Sequence, residues 1–388
     1  MKNKSRVAAI KADSYEKNVL NDALKKIFNY FPEFLETIKP ETKILLKPNV
    51  LSQTNPESCV DTHPEIIRAV INFIKPFGCK ITIGDSPGNA KANVKEIFKN
   101  SGITKVAEEE NVGISYFNDN IIEYKNEKTK IKGMERVFIA KSVKEAYIIV
   151  NLPKFKTHNL MNFTGAVKNM FGIIPGFNKS KYHILYPTPK EFAKALLEVF
   201  TIAKPHFTIM DAIVGMEGHG PQGGKPKHIG AVIGGYDCVS IDTYCCSIIG
   251  YEKGDVYTNL YGDEYGVCNG DINRIELVGD DIIQFNNDEF ELVKNLDYIL
   301  RRIPKALFSI ITPIAKKIRI EPCIIKEKCT GCGVCINNCP AKTMLFDKNK
   351  KAKIKYKNCI MCFCCHELCS FKAIDIRRSW LAKKLQIG

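Results

Sequence analysis

Apolar runs of four to six residues alternate with amphipathic stretches through the first three hundred residues of the chain. Patterns of buried strands occur at residues 43–47, 80–84, 146–151, 207–211 and 231–234. Apolar residues recur at helical spacing in residues 64–74, 190–203 and 239–249. Strands that alternate with helices predict α/β layers around a largely parallel sheet. We assign this α/β domain to residues 1–295.

Polar, glycine-containing loops follow four of these strands. They span residues 47–49, 84–88, 151–172 and 211–224. A parallel sheet brings the carboxyl ends of its strands to one edge, where ligands bind. Lysines and carboxylates from four loops would form a polar cleft there, and the glycines would let backbone amides approach an anion. The alternative for any single residue is a solvated or capping role.

The cleft hypothesis assigns roles to individual side chains. The candidate catalytic residues are His158, Asp85 and Lys168, with His158 or Asp85 as the proton carrier. The candidate cofactor- or substrate-binding residues are Lys154, Lys156, Asn169, Asp211 and Glu217. The lysines would orient an anionic small-molecule substrate.

Eight cysteines near the C-terminal end form two copies of one spacing. The copies are Cys329, Cys332, Cys335, Cys339 and Cys359, Cys362, Cys365, Cys369. Each is the C-x2-C-x2-C-x3-C run that binds [4Fe–4S] clusters, in which the fourth cysteine serves the other cluster. Zinc sites and disulfides are the alternatives, but zinc favours separated ligand pairs and disulfides favour oxidising compartments.

If the fourth cysteine of each run binds the cluster of the other run, the eight cysteines form two ligand sets. The first is Cys329, Cys332, Cys335 and Cys369, and the second is Cys359, Cys362, Cys365 and Cys339. Gly331 and Gly333 suit a loop whose amides approach inorganic sulfur. Residues 323–378 resemble a two-cluster bacterial-type ferredoxin throughout. The resemblance implies two [4Fe–4S] clusters in a small α+β domain, which we assign to residues 321–380.

The two assigned domains are joined by a basic amphipathic linker at residues 296–320. Its apolar middle is too short to span a bilayer, and the N-terminal residues lack the apolar core of a signal peptide. We therefore expect a cytoplasmic protein in a reducing, anaerobic setting. The linker could lie on a membrane surface, although packing against its own protein is favoured.

Positive charge is concentrated at the C-terminal end. Residues 301–388 contain 20 lysines and arginines but 5 acids, whereas residues 1–300 contain 37 of each sign. This imbalance is compatible with an acidic redox partner, an anionic membrane surface or an anionic substrate, and equally with a solvated basic surface that has no partner. Nucleic acid is disfavoured because no aromatic stacking platform is interleaved with the basic residues.

The polar loops also carry a family resemblance. Lys-Pro-Asn at residues 47–49, Gly-Asp-Ser-Pro-Gly at 84–88, Asn-Leu-Pro-Lys-Phe-Lys-Thr-His at 151–158 and Gly-Met-Glu-Gly-His-Gly-Pro at 215–221 resemble the domain-of-unknown-function family 362. Members of this family often carry a C-terminal two-cluster ferredoxin. The resemblance covers residues 5–275 and implies an architecture, but no activity.

A more distant similarity is to the lactate racemase family. In that family a lysine and a following histidine serve a covalently attached nickel-pincer cofactor, and Lys168 and His183 stand in a similar relation here. The favoured interpretation is simpler: Lys168 contacts an anion, and His183 sits at a helix start. Nickel binding is not predicted.

Three functions are compatible with these features. The first is an oxidoreductase in which the clusters pass electrons to an anionic substrate or cofactor in the cleft. The second is an electron-transfer adaptor between other proteins. The third is a non-redox, isomerase-like enzyme with structural clusters. The chain has no dinucleotide fingerprint and no phosphate-binding Walker loop, which argues against NAD or ATP as a cofactor. A flavin cofactor is not excluded by these motifs.

Overall fold

A computed structural model describes residues 4–89, 93–282, 289–294, 298 and 319–384. Of the predicted linker, 296–320, only residues 298, 319 and 320 belong to the described part. Within that part, no helix combines the length and apolar character needed to cross a membrane.

The α/β part has strands that follow the predicted apolar runs closely. They are β1 (Ser5–Lys11), β2 (Lys43–Pro48), β3 (Lys80–Asp85), β4 (Gly113–Tyr116), β5 (Ile121–Lys125), β6 (Arg136–Ala140), β7 (Ile148–Leu152), β8 (Lys154–His158), β9 (Asn162–Thr164), β10 (Phe207–Glu217), β11 (Lys225–Gly235) and β12 (Ile275–Gly279). β10 and β11 are much longer than their apolar runs because their polar ends also pair.

The helices of this part lie between those strands. They are α1 (Lys17–Asn29), α2 (Pro32–Glu36), α3 (Pro64–Ile74), α4 (Val94–Asn100), α5 (Ile103–Glu109), α6 (Lys141–Glu145), α7 (Ala166–Asn169), α8 (Phe177–Leu185), α9 (Pro189–Ile202), α10 (Cys238–Ile248) and α11 (Tyr257–Glu264). Helix α9 begins at Pro189, a residue suited to the first helical position, and Thr188 and Glu191 form a reciprocal capping box there.

A central sheet joins these strands in the order β12-β1-β11-β10-β7-β2-β3-β4, and β8 extends it beside β10. The neighbours from β10 through β7, β2 and β3 to β4 are parallel. β11 runs antiparallel to both β1 and β10. The expected largely parallel α/β sheet is confirmed, with an antiparallel segment at β1-β11-β10.

Both faces of the sheet are buried, which explains why the strands read as continuous apolar runs. Along β1, Val7 and Ala9 join one core with α7, α9 and α10, while Ala8 and Ile10 join the other core with α1 and α3. This alternation follows from the two-residue period of a strand. The parallel strands β2, β3 and β7 therefore present their carboxyl ends at one edge.

The cysteine-rich part is small and pseudo-symmetric. Its elements are β13 (Ile320–Ile324), α12 (Val334–Asn337), β14 (Met344–Phe346), β15 (Ala352–Ile354), α13 (Cys364–Glu367), β16 (Ile374–Arg378) and α14 (Trp380–Lys384). Strands β13 and β16 pair antiparallel, as do β14 and β15. One short helix contains the third cysteine of each run, so the repeated spacing produces a repeated structure.

This cysteine-rich module packs on the α/β part near the strand ends. Asn338 donates a hydrogen bond to the Asn89 side chain at 2.9 Å. An Arg378 guanidinium nitrogen donates to Nε2 of His219 at 3.0 Å. The module therefore covers the edge at which β2 and β3 end.

Candidate functional site

The first predicted cysteine set surrounds one small cavity. Cys329, Cys332, Cys335 and Cys369 all line it, together with Gly331. Burial raises the pKa of Cys335 to about 12, and the nearby Cys369, Cys332 and Cys329 thiols add to this rise. A bound metal centre would reverse the effect, because metal coordination deprotonates a thiol. The four side chains therefore fit a [4Fe–4S] cube.

The second set is grouped in the same way. Burial raises the pKa of Cys365 well above its ordinary value, and the nearby Cys362, Cys335, Cys359 and Cys339 thiols add to this rise. Burial, together with Cys362 and Cys339, also raises the pKa of Cys359, so Cys339 lies near cysteines of the other run, as the crossed assignment requires. No group of three or more His, Cys, Asp or Glu in the described ranges could hold a single metal ion, whereas a cube needs thiolates spread around a larger body.

Backbone amides already point at sulfur atoms of both sets. The Ala352 amide donates to Cys329 Sγ at 3.4 Å, and the Ala373 amide donates to Cys369 Sγ at 3.3 Å. In the second set the Thr343 amide donates to Cys339 Sγ at 3.3 Å. Such hydrogen bonds stabilise thiolate charge and tune cluster potentials. The cysteine ligand assignments remain predictions that this geometry supports.

A larger cavity of about 100 Å³ lies between the two parts of the chain. One water needs roughly 10–15 Å³ on this measure, so a ligand of several atoms fits. The α/β side contributes Asn49, Asp85, Lys168, Asn169, Lys179 and His183, and the cysteine-rich side contributes Asn338, Cys364, Glu367 and Leu368. We call this cavity the interface cleft. It lies at the ends of β2 and β3, as the sheet topology predicts.

Asp85 anchors the floor of the interface cleft. Its carboxylate forms a buried ion pair with Lys47 Nζ at 2.8 Å and accepts the Val50 amide at 2.8 Å. Asn169 donates to the Lys47 carbonyl at 3.2 Å and accepts from the Asn49 amide group at 3.0 Å. These residues hold one another through strand ends and loops, so their geometry is set before a ligand arrives.

Lys168 faces the interface cleft without a fixed partner. In the described part of the chain, no hydrogen bond or ion pair involves this side chain. Burial lowers its pKa, while the nearby Glu367 opposes that effect. A lysine kept in this position can bind an anionic ligand group without first breaking an internal contact.

Helix α8 adds two more nitrogen groups. Lys179 donates to the carbonyl oxygens of Ser86 and Pro87, and burial lowers its pKa to about 7. His183 stacks on Phe192, with ring centroids 4.3 Å apart, and burial together with Lys168 lowers its pKa to about 3. His183 is therefore a neutral imidazole. It lies in the last turn of α8, so its expected position at a helix start was wrong.

His158 connects the α/β part to the cysteine-rich module. Its Nδ1 accepts the amides of Leu160 and Met161, at 3.1 Å and 3.2 Å. The proton of the neutral ring is therefore on Nε2, which lies 3.3 Å from Glu367 Oε1 without hydrogen-bond geometry. Burial and Lys168 hold the pKa of His158 well below its usual range. His158 reaches the interface cleft through Glu367.

Lys156 lies behind the cleft wall. Its Nζ donates to Asn49 Oδ1 and to the Val60 carbonyl, each at 2.6 Å. Burial lowers its pKa to about 7, and Asp61 opposes the shift. Lys156 thus orients Asn49, which lines the cleft, and is not itself a lining residue.

The other three predicted binding residues lie elsewhere. Lys154 and Asp211 form a buried ion pair at 2.8 Å, with the Tyr15 hydroxyl donating to Asp211 at 2.9 Å. Glu217 accepts the Glu291 amide at 2.9 Å at the end of β10. None of these three lines the interface cleft. Their predicted cofactor-binding role stays a prediction, and their observed contacts are structural.

Sequence reasoning missed several residues of the interface cleft. Lys179 and His183 are four positions apart on α8, a spacing that places both on one helix face. Glu367 is one of five acids in the strongly basic residues 301–388 and lies between two cluster cysteines. The unusual placement of Glu367 could have marked it as a candidate site residue. No feature of the sequence marks Asn338 in this way.

Two known proteins are similar in sequence to parts of this chain. A thylakoid-associated protein of Synechocystis sp. is 26% identical over 264 residues, which cover 67% of this chain and 79% of that protein. Subunit I of the F(420)H(2) dehydrogenase of Methanosarcina mazei is 35% identical over 54 residues, or 13% of this chain and 30% of that subunit. The chain thus spans less than a third of the dehydrogenase subunit.

Among solved structures, the lactate racemase apoprotein of Thermoanaerobacterium thermosaccharolyticum aligns with a TM-score of 0.41 and 15% identity, covering 64% of this chain and 57% of that one. Family models match in two places. Residues 321–370 match a 4Fe-4S dicluster domain, so this part of the chain is an iron–sulfur module with an electron-transfer role. Residues 44–247 match the domain of unknown function DUF362. The chain therefore belongs to the DUF362 family and carries a C-terminal 4Fe-4S dicluster domain.

Proposed function

We propose that this protein is an iron–sulfur oxidoreductase that delivers electrons to a small anionic substrate or cofactor in the interface cleft. The observation that carries the proposal is the composition of the cleft wall. Lysines of the α/β part face Cys364 and Glu367, which are neighbours of the second set of cluster cysteines. A ligand in this cleft would lie between a cation-rich wall and the iron–sulfur module.

Two clusters, each bound by one crossed set of four cysteines, are part of the proposal. When bound, each [4Fe–4S] cluster supplies a one-electron couple. The chain contributes the cavity around the first set, the amides that donate to Cys329, Cys339 and Cys369, and the left-handed loop residues Gly331 and Gly333. Together these groups fit two clusters in one compact module.

The residues of the interface cleft have distinct proposed roles. Lys168 binds the negative group of the ligand, since its ammonium has no internal partner in the described part of the structure. Lys179 adds a second positive charge when it is protonated. The Lys47–Asp85 ion pair keeps the cleft floor rigid, and neutral His183 closes the side next to Phe192. Glu367 and His158 join the ligand site to the module.

An electron-transfer adaptor is the second candidate function. It is favoured by the exposure of Cys332, which brings the first cysteine set to the protein surface. An adaptor needs no ligand in the interface cleft, whereas the oxidoreductase does. Direct measurement of ligand binding therefore distinguishes the two functions.

The test is isothermal titration of the anaerobically purified whole chain with acetate and with inorganic phosphate. The oxidoreductase proposal predicts saturable binding of at least one of these anions, weakened at least about tenfold by Lys168→Ala, because one charged contact is lost. Lys25→Ala, on the exposed face of α1, is the matched control and should bind like the wild type. Equal binding by the wild type and Lys168→Ala would contradict the proposed role of the cleft.

The ligand sets are tested by metal content. Wild-type protein should contain about eight irons per chain, and Cys332→Ala and Cys362→Ala should each lose about half of them. Cys79→Ala, at a half-buried cysteine outside both sets, should retain all of its iron. Full iron content in both ligand variants would overturn the assignment.

A further inference from the structure

The first cysteine set reaches the protein surface at one point. Among the eight cysteines of the two sets, all of which are described, Cys332 is exposed while the other seven are buried or half-buried. The neighbours of the second set face the interface cleft instead. The module therefore has one redox edge toward the α/β part and another toward solvent.

Two exposed aromatic side chains flank Cys332. Phe346 is 52% exposed and Phe371 is 50% exposed, and both line the cavity of the first cysteine set. They come from separate segments, the end of β14 and the loop before β16. Exposed aromatic residues that converge on one spot are typical of the apolar centre of a protein interface.

Three lysines adjoin this apolar centre in the chain or in space. Lys328 directly precedes Cys329, Lys372 directly follows Phe371, and the Lys350 carbonyl lies only 2.5 Å from where a Cβ on Gly331 would be. All three lysines are exposed, and no ion pair involves them in the described part of the chain. We call Cys332, Phe346, Phe371 and these three lysines the entry face.

Negative charge near the entry face is sparse. The Asp347 carboxylate accepts the amides of Asn349 and Lys351, at 2.9 Å and 3.0 Å, and pairs with Lys326 at 3.4 Å. Glu327 is exposed beside Lys328, and the exposed Asp375 lines a cavity together with Lys328 and Lys372. The local field is therefore positive, in line with the 20 basic and 5 acidic residues of positions 301–388.

We propose that the entry face is the docking surface of an acidic electron-carrier protein. The inference rests on the proposed electron-transfer function and names the partner class. The partner's acidic rim would pair with the lysines, and its cofactor edge would approach Cys332 beside the two phenyl rings. One electron leaves the reduced carrier and one cluster of the module gains it, with no bond made or broken and no proton required. A purely lipid partner would not explain an exposed cluster cysteine at the centre of the face.

The test uses the whole anaerobic protein and an acidic flavodoxin in its hydroquinone form as the donor. Stopped-flow absorbance follows formation of the flavodoxin semiquinone. Lys350→Glu/Lys372→Glu should lower the second-order rate at low salt by about tenfold or more, because it reverses the steering charge. Lys17→Glu/Lys25→Glu on α1 makes the same change in net charge and should keep the wild-type rate. Both double variants should retain full iron and be reduced completely by dithionite.

Phe371→Ala supplies an independent measurement that leaves every charge in place. It should slow electron transfer from flavodoxin, whereas Trp380→Ala, at an exposed aromatic beyond the far end of β16, should not. Wild-type rates in both entry-face variants would overturn the proposal. The proposal would also be overturned if the entry-face variants lost binding to phosphatidylglycerol vesicles while their electron-transfer rates with flavodoxin stayed at the wild-type value. The flavodoxin rate is measured without any ligand for the interface cleft, so failure of the cleft hypothesis can be told apart from failure of the docking hypothesis.

Discussion

Lys154 is a buried cation with a full set of partners, whereas Lys168 reaches a cleft and has no such partner among the described residues. Lys154 Nζ donates to Asp211 at 2.8 Å and to the Tyr15 hydroxyl at 3.0 Å. Asp211 also accepts the His63 amide at 2.9 Å. The pair joins β8 and β10 to the loop before α3. Contact geometry therefore gives these two lysines different roles.

Lys154→Met should destabilise the protein by about 3–5 kcal/mol, because it leaves Asp211 as a buried charge without its cation. Chemical denaturation of the anaerobic protein, followed by circular dichroism, measures the free energy of unfolding. Lys168→Met is the matched control and should change that energy by less than about 1 kcal/mol. Equal losses in the two variants would mean that Lys168 is also structural.

Anion binding in the interface cleft should weaken as the pH rises above neutrality. Burial lowers the pKa of Lys179 to about 7, with Asp85 opposing the shift and Lys47 and Lys168 reinforcing it. A lowered lysine pKa means that the positive charge is present below pH 7 and is lost above it. The acetate affinity of the wild type should therefore fall between pH 6 and pH 8.5.

Acetate is the suitable probe because its own carboxylate does not titrate in this range. Lys179→Met should bind acetate more weakly at pH 6, with a flatter pH profile. Arg is the matched rescue, since Lys179→Arg keeps its charge throughout the range. A wild-type affinity that stays constant from pH 6 to pH 8.5 would rule out the titration of Lys179.

Residue types in the loops predicted where the cleft forms, but not which lysine faces it. Asp85, Asn169 and Lys168 line the interface cleft, and all three were assigned from the loops that follow the strands. Lys154 and Asp211 come from similar loops but pair with each other. That difference depends on the pairing of β8 with β10, which a single sequence does not reveal.

At the scale of elements, apolar runs predicted strand and helix positions well. Helix α3 has the predicted bounds because His63 caps it and Pro64 begins it. The antiparallel course of β11 was not predicted, since a buried run carries no signal of strand direction. The contribution of α8 to the cleft was missed because Lys179 has no motif around it and His183 was expected at a helix start.

The two cysteine loops use left-handed backbone at equivalent positions. Gly331 and Gly333 have φ of 76° and 77°, whereas Met361 and Phe363 have φ of 52° and 59°. Residues other than glycine pay about 1–3 kcal/mol for such conformations. The second loop is therefore the more strained of the two, and packing within the surrounding module stabilises its backbone conformation.

Gly331→Ala should lower the iron content toward half, because a Cβ there meets the Lys350 carbonyl and the backbone is left-handed. Met361→Gly should retain full iron, since glycine adopts the same backbone without strain. Iron and sulfide analysis of anaerobically purified variants makes the comparison. Full iron in Gly331→Ala would show that the first loop tolerates a side chain.

At the scale of the whole molecule, the interface cleft exists only because the two parts pack together. The Asn338–Asn89 hydrogen bond, the Arg378–His219 hydrogen bond and the His158–Glu367 contact all cross this interface. The pattern of apolar residues predicted the α/β part, and the cysteine spacing predicted the iron–sulfur module. The sequence could not predict their packing, because the contacts across the interface involve isolated polar residues. Because of that packing, the iron–sulfur module lies between the interface cleft on one side and the entry face on the other.

The central claim is that an anion in the interface cleft lies next to the iron–sulfur module. The most direct measurement is the EPR spectrum of the dithionite-reduced whole chain with and without saturating acetate. We expect two interacting reduced clusters in the wild type, with acetate shifting part of the signal, and no shift in Lys168→Ala. A wild-type spectrum that acetate leaves unchanged, in protein with full iron and measurable acetate binding, would show that the bound anion does not lie beside the clusters.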